Sequence, residues 1–200
     1  MNFLAHAYLS GNNEKVLLGN FMGDFIKGKQ YKDYEIAIAK GVLLHREIDQ
    51  FTDNNKIVLQ SKIRLRKAIS HYAGVVVDIF YDHFLIHQWE SFSTITLKNF
   101  ISNIYNVVEK YDHLLPAAAK TMIPFMIEQD WLLGYGQIEG LTRSLRGISK
   151  RSRFHPPLID TIPILQNDYA SFEAEFMTFF PQLIRHVENI KQELGLTEDL

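Results

Sequence analysis

The segment GVVVDIFYDHFLIHQW, residues 74–89, is apolar around the whole circumference of the helix that it predicts. A helix of this kind is normally buried at the centre of a bundle. Asp78 and Asp82 nevertheless lie within it, four residues apart. A buried carboxylate destabilises a fold unless it is paired, neutralised or bound to a metal ion. The segment therefore predicts a central helix whose two carboxylates have partners.

The rest of the chain also has helical periodicity, and almost no stretch alternates strictly between apolar and polar residues. Glycine and proline, at 11 and 6 residues, fall mostly between the periodic segments. We find no linker, fixed repeat or low-complexity tract. The sequence predicts an all-α, single-domain helical bundle over residues 1–200. The predicted helices span 2–10, 14–26, 34–51, 56–72, 74–89, 97–113, 117–133, 136–149, 157–168 and 170–194.

The composition excludes several classes of function. The 200 residues include no cysteine, which excludes thiolate zinc sites, thiol nucleophiles and iron–sulfur clusters. A net charge of -2 argues against a nucleic-acid partner. No apolar run approaches the roughly 20 residues of a membrane span, and the first residues do not resemble a signal peptide. We therefore expect a cytoplasmic protein with no nucleic-acid or membrane partner.

Polar residues recur four apart on segments that are otherwise strongly apolar. Residues with this spacing lie one above the other on the same face of a helix. The pairs are Asn2 with His6, Asn20 with Asp24, His45 with Asp49 (and Asp53 one turn further), and Asp78 with Asp82, which His83 follows.

Carboxylates and neutral imidazoles are the usual ligands of a divalent metal when no thiolate exists. Because one helix offers about two ligands, a bundle supplies the others from neighbouring helices. The sequence also lacks a serine or cysteine nucleophile with an evident base, so metal-activated water is the simplest chemistry. The alternative is that each pair is an ordinary surface pair or helix cap, with Asp53 in a helix end and His6 a hydrogen-bonded core histidine.

Two stretches of the sequence concentrate positive charge. Five positive residues lie between Arg143 and Arg153 without an acidic one, and Lys62, Arg64, Arg66 and Lys67 form a second cluster. A solvated face is the simpler interpretation of both clusters. The alternative is a docking surface for an acidic partner or for a substrate that carries phosphate.

Several short segments, none of them specific alone, together indicate a family. They are NFLAH at 2–6, GNFMGDF at 19–25, HREIDQFTD at 45–53, DIFYDHFL at 78–85, Trp89, EQDWL at 128–132 and GISKR at 147–151. Through these segments nearly the whole chain resembles the acyl carrier protein phosphodiesterases, a divergent branch of the HD hydrolase superfamily. The consecutive His-Asp of ordinary HD hydrolases is absent, because Asp82 precedes His83 and Arg46 follows His45.

The resemblance implies an HD-like helical bundle that binds a divalent metal ion, with manganese favoured. It implies hydrolysis of the phosphodiester that joins 4′-phosphopantetheine to a serine of holo-acyl carrier protein, an acidic protein. Two alternatives stay open at this point. One is a metal phosphohydrolase of the same superfamily that acts on a small nucleotide or phosphomonoester, and the other is a non-enzymatic helical binding protein. The sequence leaves the oligomeric state open.

The residues that carry the resemblance are the same residues that the spacing selects. We expect the metal ligands to come from His6, Asp24, His45, Asp49, Asp53, Asp78 and Asp82. Proton transfer and phosphate contact are assigned to Asp49, His83 and Arg46. Asn2 and Asn20 are expected to orient the ligands through hydrogen bonds. The predicted docking residues for the carrier protein are Arg143, Arg146, Lys150, Arg151 and Arg153.

Overall fold

The central segment forms helix α5, Ala73–His87, and most of its side chains are buried. Val76, Val77, Phe80 and Leu85 are fully inaccessible to solvent. Apolar side chains project from it in several directions, so neighbouring helices cover it on more than one side. The prediction of a buried central helix is confirmed.

The computed structural model describes residues 1–196, and within that range the protein is all-α, as predicted. Residues 197–200 of the predicted domain lie outside the described residues. The helices are α1 Phe3–Ser10, α2 Glu14–Phe21, α3 Ile36–Asn54, α4 Lys56–Ile69, α5 Ala73–His87, α6 Leu97–Lys110, α7 Ala117–Glu128, α8 Trp131–Gly134, α9 Ile138–Arg151, α10 Thr161–Asn167 and α11 Tyr169–Glu193. Short 3₁₀ turns lie at Gly23–Phe25, Gln30–Asp33, Ser70–Tyr72, Trp89–Ser91, Asp112–Leu114 and Leu158–Asp160.

Several predicted helices are interrupted or end early. The segment predicted over 56–72 ends as α4 at Ile69, because Ser70 has a φ of 46°, and the segment predicted over 157–168 begins with the 3₁₀ turn Leu158–Asp160. The segment predicted as one helix over 14–26 ends as α2 at Phe21, and a 3₁₀ turn, Gly23–Phe25, follows it. The segment predicted over 117–133 divides between α7 and α8, because Asp130 adopts a left-handed conformation with φ of 43°. A single residue with positive φ stops the helical hydrogen-bond pattern, and hydrophobic periodicity does not reveal it.

Helices α2 and α3 pack at very short range. A Cβ atom on Gly19 would lie 2.1 Å from the carbonyl oxygen of Ile38, and one on Gly41 would lie 2.3 Å from that of Val16. Only glycine permits this separation of the two backbones. The close approach brings the carbonyl of Asn20, on α2, to within 2.8 Å of the His45 ring on α3.

Helix α5 packs against α1, α4, α9 and α11. A buried polar network also joins α4, α5 and α11. The hydroxyl of Ser61 lies 2.9 Å from that of Tyr81 and donates to Glu175 at 2.5 Å, while Arg64 donates to the same carboxylate at 2.6 Å. These contacts fix the helices around α5. In residues 1–196, no helix combines the length and apolar character needed to cross a membrane.

Candidate functional site

His6, His45 and Asp49 form a compact group between α1 and α3. Nε2 of His6 lies 3.1 Å from Oδ1 of Asp49, and Nε2 of His45 lies 3.1 Å from Oδ2 of the same carboxylate. One ligand atom from each residue lies within 4.8 Å of the other two. Both histidines are buried, whereas 37% of the Asp49 side chain is exposed. The group has the spacing of a metal site that opens to solvent on the side of Asp49.

Asn20 fixes the orientation of both imidazoles. Its side-chain NH₂ donates to the carbonyl of His6 at 2.8 Å and to the Ser10 hydroxyl at 2.9 Å, which leaves Oδ1 to accept from Nδ1 of His6 at 2.8 Å. Its own backbone carbonyl accepts from Nδ1 of His45 at 2.8 Å. Because each Nδ1 is held as a donor, Nε2 is the ring nitrogen that faces Asp49 in both histidines.

The environment of His6 tests whether the group fits a cation. Its Nε2 faces both Oδ1 of Asp49 and, at 3.2 Å, the carbonyl oxygen of Met1. Burial and the neighbouring His45 lower the pKa of His6 to about 4, so its ring is neutral at pH 7. A neutral ring whose Nδ1 is the donor directs a lone pair at two oxygens, and a cation between them relieves that repulsion. The donor set therefore fits a divalent metal.

The other two groups also have perturbed pKa values. Burial lowers the pKa of His45, but hydrogen bonds to Asp24 and Asp49 outweigh it and raise the pKa to about 9. Burial raises the pKa of Asp49, yet the two imidazoles and the amino group of Met1 hold it well below its usual range. Asp49 is therefore ionised at neutral pH, the form that binds a metal ion.

Asp24 and Asp78 lie at opposite borders of this group. Asp24, in the turn Gly23–Phe25, places Oδ1 3.4 Å from Nε2 of His45, and 68% of its side chain is exposed. Asp78 reaches the group through the Met1 amino nitrogen, which lies 3.2 Å from Oδ1 of Asp78 and 3.2 Å from Oδ1 of Asp49. Burial raises the pKa of Asp78, and the Met1 ammonium group acts against this shift.

Asp82, a predicted metal ligand, lies against the start of α1. Its two oxygens accept backbone hydrogen bonds from Leu4, at 2.9 Å, and from Ala5, at 3.1 Å, and the side chain is completely buried. These N–H groups belong to the first turn of α1, which a negative charge stabilises. Burial raises the pKa of Asp82 to about 7, while the two hydrogen bonds lower it. The carboxylate anchors α1 to α5 and does not join the group around Asp49.

His83 is not brought to the metal group either. Its Nδ1 lies 2.8 Å from the carbonyl of Tyr135, and its Nε2 lies 3.0 Å from the hydroxyl of Tyr169. Both ring nitrogens are therefore occupied on another face of α5. Burial lowers the pKa of this ring to about 4, so it is neutral in the folded protein at pH 7. Its geometry is that of a core histidine and does not support the predicted catalytic role.

Asp53 and Asn2 also lie outside the group. Asp53 forms an ion pair with Lys62 at 2.7 Å, and 70% of its side chain is exposed. The buried Nδ2 of Asn2 has no hydrogen-bond partner among the described residues. The same side chain lies beside Tyr135: burial raises the pKa of the tyrosine, and Asn2 lowers it. The predicted roles of both residues have no support in their contacts.

Arg46 lies on α3 next to His45 and is held by the loop that follows α2. It donates to the carbonyl of Ile26 at 3.2 Å, and its guanidinium lies 5.1 Å from the centre of the Tyr31 ring. This position is beside the metal group but leaves the predicted phosphate contact untested. The predicted docking residues are all exposed, and none forms an ion pair within residues 1–196: Arg143, Arg146, Lys150, Arg151 and Arg153.

Two contributors to the site were not predicted. A Cβ atom on Gly23 would lie 2.3 Å from Cγ of His45, so this glycine makes room for the ring. Ser10 supports Asn20 and also donates to the carbonyl of His6 at 2.8 Å. Gly23 precedes Asp24 in the segment GNFMGDF, and a glycine inside a predicted helix was the signal that could have revealed a close approach.

Comparisons with known proteins identify the family of this chain. A family model described as acyl carrier protein phosphodiesterase matches residues 1–183. A Photorhabdus laumondii protein named acyl carrier protein phosphodiesterase is 30% identical over 190 residues, which cover 94% of this chain and 96% of that protein. Proteins of the same name from Klebsiella pneumoniae (strain 342) and Yersinia pestis are 30% and 25% identical over 190 residues, 94% of this chain and 98% of each relative. No solved structure matches the chain. The resemblance carried by the short segments is thereby confirmed, and the chain belongs to the acyl carrier protein phosphodiesterase family.

Proposed function

We propose that this protein hydrolyses the phosphodiester between 4′-phosphopantetheine and the serine of holo-acyl carrier protein, which yields the apo-protein. The observation that carries the proposal is the convergence of two oriented imidazoles on one ionised carboxylate, at His6, His45 and Asp49. Membership of the family supplies the substrate. The comparisons do not favour a hydrolase of small nucleotides or a protein without enzymatic activity.

His6, His45 and Asp49 would hold the metal ion, and Asp24 is the nearest further carboxylate at the solvent side. Manganese is the ion that the resemblance favours, and carboxylate ligands suit it. When bound, such an ion supplies Lewis-acid polarisation of a phosphate oxygen and a water molecule of lowered pKa. Asn20 keeps the ligands oriented, since it fixes both rings through Nδ1.

The chain's own residues also prepare the surroundings of the phosphate. Arg46 lies one residue after His45, and its guanidinium is steadied by the Ile26 carbonyl and the Tyr31 ring. A guanidinium can donate two parallel hydrogen bonds to phosphate oxygens. We therefore retain Arg46 as the candidate phosphate contact. Asp49, which is ionised at neutral pH, is assigned as a metal ligand. His83 is withdrawn from proton transfer, because Tyr135 and Tyr169 occupy its two ring nitrogens.

The direct test is incubation of the purified protein with holo-acyl carrier protein and Mn²⁺, followed by mass spectrometry of the carrier protein. We expect loss of the 4′-phosphopantetheine group, abolished by a chelator and by Asp49→Ala. In a separate calorimetric titration with Mn²⁺, Asp49→Ala should lose metal binding, whereas Asp53→Ala, a carboxylate variant one turn further along the same helix, should keep it. Hydrolysis of nucleotides without hydrolysis of the holo-carrier would contradict the proposal.

An acidic carrier protein needs a positive surface near the site, and the exposed residues of α9 offer one. Burial raises the pKa of Tyr135 and the charge of Arg151 lowers it, so Arg151 lies near this tyrosine. Tyr135 in turn lies beside Asn2, near the start of α1. The Arg146→Glu/Arg151→Glu double variant should raise KM for holo-carrier protein and make KM less dependent on salt than in the parent, because the attraction that salt screens is lost. Unchanged turnover of the double variant would remove α9 as the docking surface. The cytoplasmic location expected from the sequence stays a prediction.

A further inference from the structure

A cavity of about 640 Å³ opens beside Asp78, between α4, the turn Ser70–Tyr72 and the first turn of α5. Its volume falls within the roughly 300–1,000 Å³ range of pockets that bind small molecules. Side chains with charge or hydrogen-bonding capacity contribute much of its wall. They are Asp53, Lys62, Arg66, Ser70, His71 and Asp78.

Lys62 is the most enclosed cation of this wall. Only 12% of its side chain is exposed, and its ammonium group lies 2.7 Å from Oδ1 of Asp53. Asp53 itself is 70% exposed, so water competes for that carboxylate. Arg66, one helical turn further along α4, adds a second positive charge to the same wall. Because Asp53 is solvated, the Lys62 ammonium group can leave it and pair with a ligand anion inside the cavity.

The cavity lies next to the metal group. Asp78 lines the cavity and also lies 3.2 Å from the Met1 amino nitrogen, which is 3.2 Å from Asp49. A phosphate at this end of the cavity therefore lies between Lys62 and the group around Asp49, beside Asp78 and the Met1 amino group. Gly74 leaves the entrance open, because a Cβ atom there would have only the end of the Lys62 side chain within 4 Å, at 3.7 Å.

We propose that this cavity binds the 4′-phosphopantetheine half of the substrate and that Lys62 pairs with its phosphate. The assignment rests on the proposed function. In the hydrolysis, the water oxygen bonds to phosphorus, the bond from phosphorus to the serine oxygen breaks, and a proton returns to that oxygen. The phosphate changes from a diester with one negative charge to a monoester with a charge of about -1.5 to -2 at pH 7. A cation beside it binds the product more tightly than the substrate.

Binding of free 4′-phosphopantetheine, measured by calorimetry on the full chain with Mn²⁺ present, tests the assignment. Lys62→Gln should weaken binding by about tenfold or more, the usual effect of losing a charge-assisted hydrogen bond. Lys67→Gln is the matched control, since Lys67 is an exposed lysine on the same helix outside the cavity wall and should bind as the parent does. Asp53→Asn should tighten binding, because it releases Lys62 from its present partner.

A second variant tests the cavity itself. Gly74→Phe should raise KM for holo-carrier protein more than it lowers kcat, because the added ring occupies the space beside Lys62. Equal affinity of Lys62→Gln and the parent, or no binding by the parent, would overturn the assignment. Binding that depends on Lys62 in a protein that does not hydrolyse holo-carrier protein would defeat the proposed function and leave the cavity assignment standing.

Discussion

The imidazole rings of His6 and His45 are stacked, with their centroids 4.0 Å apart and their planes inclined by 17°, although they belong to α1 and α3. Asn20, on α2, contacts both rings, one through its side chain and the other through its backbone carbonyl. The three helices thus meet at a single asparagine. The direction of both Nε2 atoms towards Asp49 depends on it.

Asn20→Ala should reduce affinity for Mn²⁺ by about 10–100-fold, as observed when a residue that orients a metal ligand is removed. The reason is that Nδ1 of His6 loses its acceptor and the ring can rotate. Calorimetric titration of the folded variant measures the effect. Ser10→Ala is the graded comparison: it removes one contact of the Asn20 amide but leaves the bond between Asn20 Oδ1 and His6 Nδ1, so it should reduce the affinity less than Asn20→Ala does. An unchanged affinity in Asn20→Ala would show that the ring is held by other contacts.

Gly23→Ala should displace the ring of His45, since the new Cβ atom would lie 2.3 Å from its Cγ. We expect a loss of about 1–3 kcal/mol in the free energy of unfolding, the usual cost of overpacking, together with weaker metal binding. Urea denaturation and Mn²⁺ titration measure the two effects. Gly134→Ala provides the comparison, because its Cβ would have no heavy atom within 4 Å. Equal changes in unfolding free energy and in Mn²⁺ affinity for the two variants would mean that the close contact between Gly23 and His45 does not restrict the size of residue 23.

The sequence predicted the helices well because hydrophobic periodicity dominates this chain. It also selected His6, His45 and Asp49, since polar side chains on apolar helix faces are costly unless they meet. The turn at Gly23–Phe25 escaped prediction. The reason for that turn is the proximity of α3, a tertiary contact that local periodicity does not contain.

The partners of the two carboxylates on α5 could not be predicted either. Spacing gives the direction of Asp78 and Asp82 from their helix but not what they meet there. Asp78 lies against the Met1 amino group, whereas Asp82 meets the first turn of α1. His83, the next residue, points about 100° further around the helix, towards Tyr135 and Tyr169. Adjacent polar residues therefore serve three different purposes.

Asp82→Ala should lower the free energy of unfolding by about 3 kcal/mol, because two buried N–H groups lose their acceptor. Urea denaturation in the presence of a chelator measures this loss without a contribution from metal binding. Asp49→Ala is the contrasting variant and should abolish metal binding with a smaller loss of stability, because its side chain is partly exposed. A more stable Asp82→Ala protein would mean that the carboxylate does not anchor α1.

The pH dependence of stability should reveal the buried state of His83. Its pKa is about 4 in the folded protein, against 6.5 for an ordinary histidine. As the pH falls below about 6.5, the unfolded chain takes up a proton at this position and the folded protein does not. The folded state therefore loses stability between pH 6.5 and 4, by about 3 kcal/mol in total, and the loss is constant below pH 4.

His83→Gln isolates this contribution, because a glutamine amide can donate to the Tyr135 carbonyl and accept from the Tyr169 hydroxyl but does not titrate. Urea denaturation of the parent and the variant at several pH values between 4 and 8 gives the two profiles. The difference between them should be flat above pH 6.5 and should change in favour of the variant as the pH falls. His6 contributes equally to both profiles and cancels in the difference. Parallel profiles throughout would mean that His83 binds its proton equally well in the folded and unfolded states, and its burial would then have another explanation.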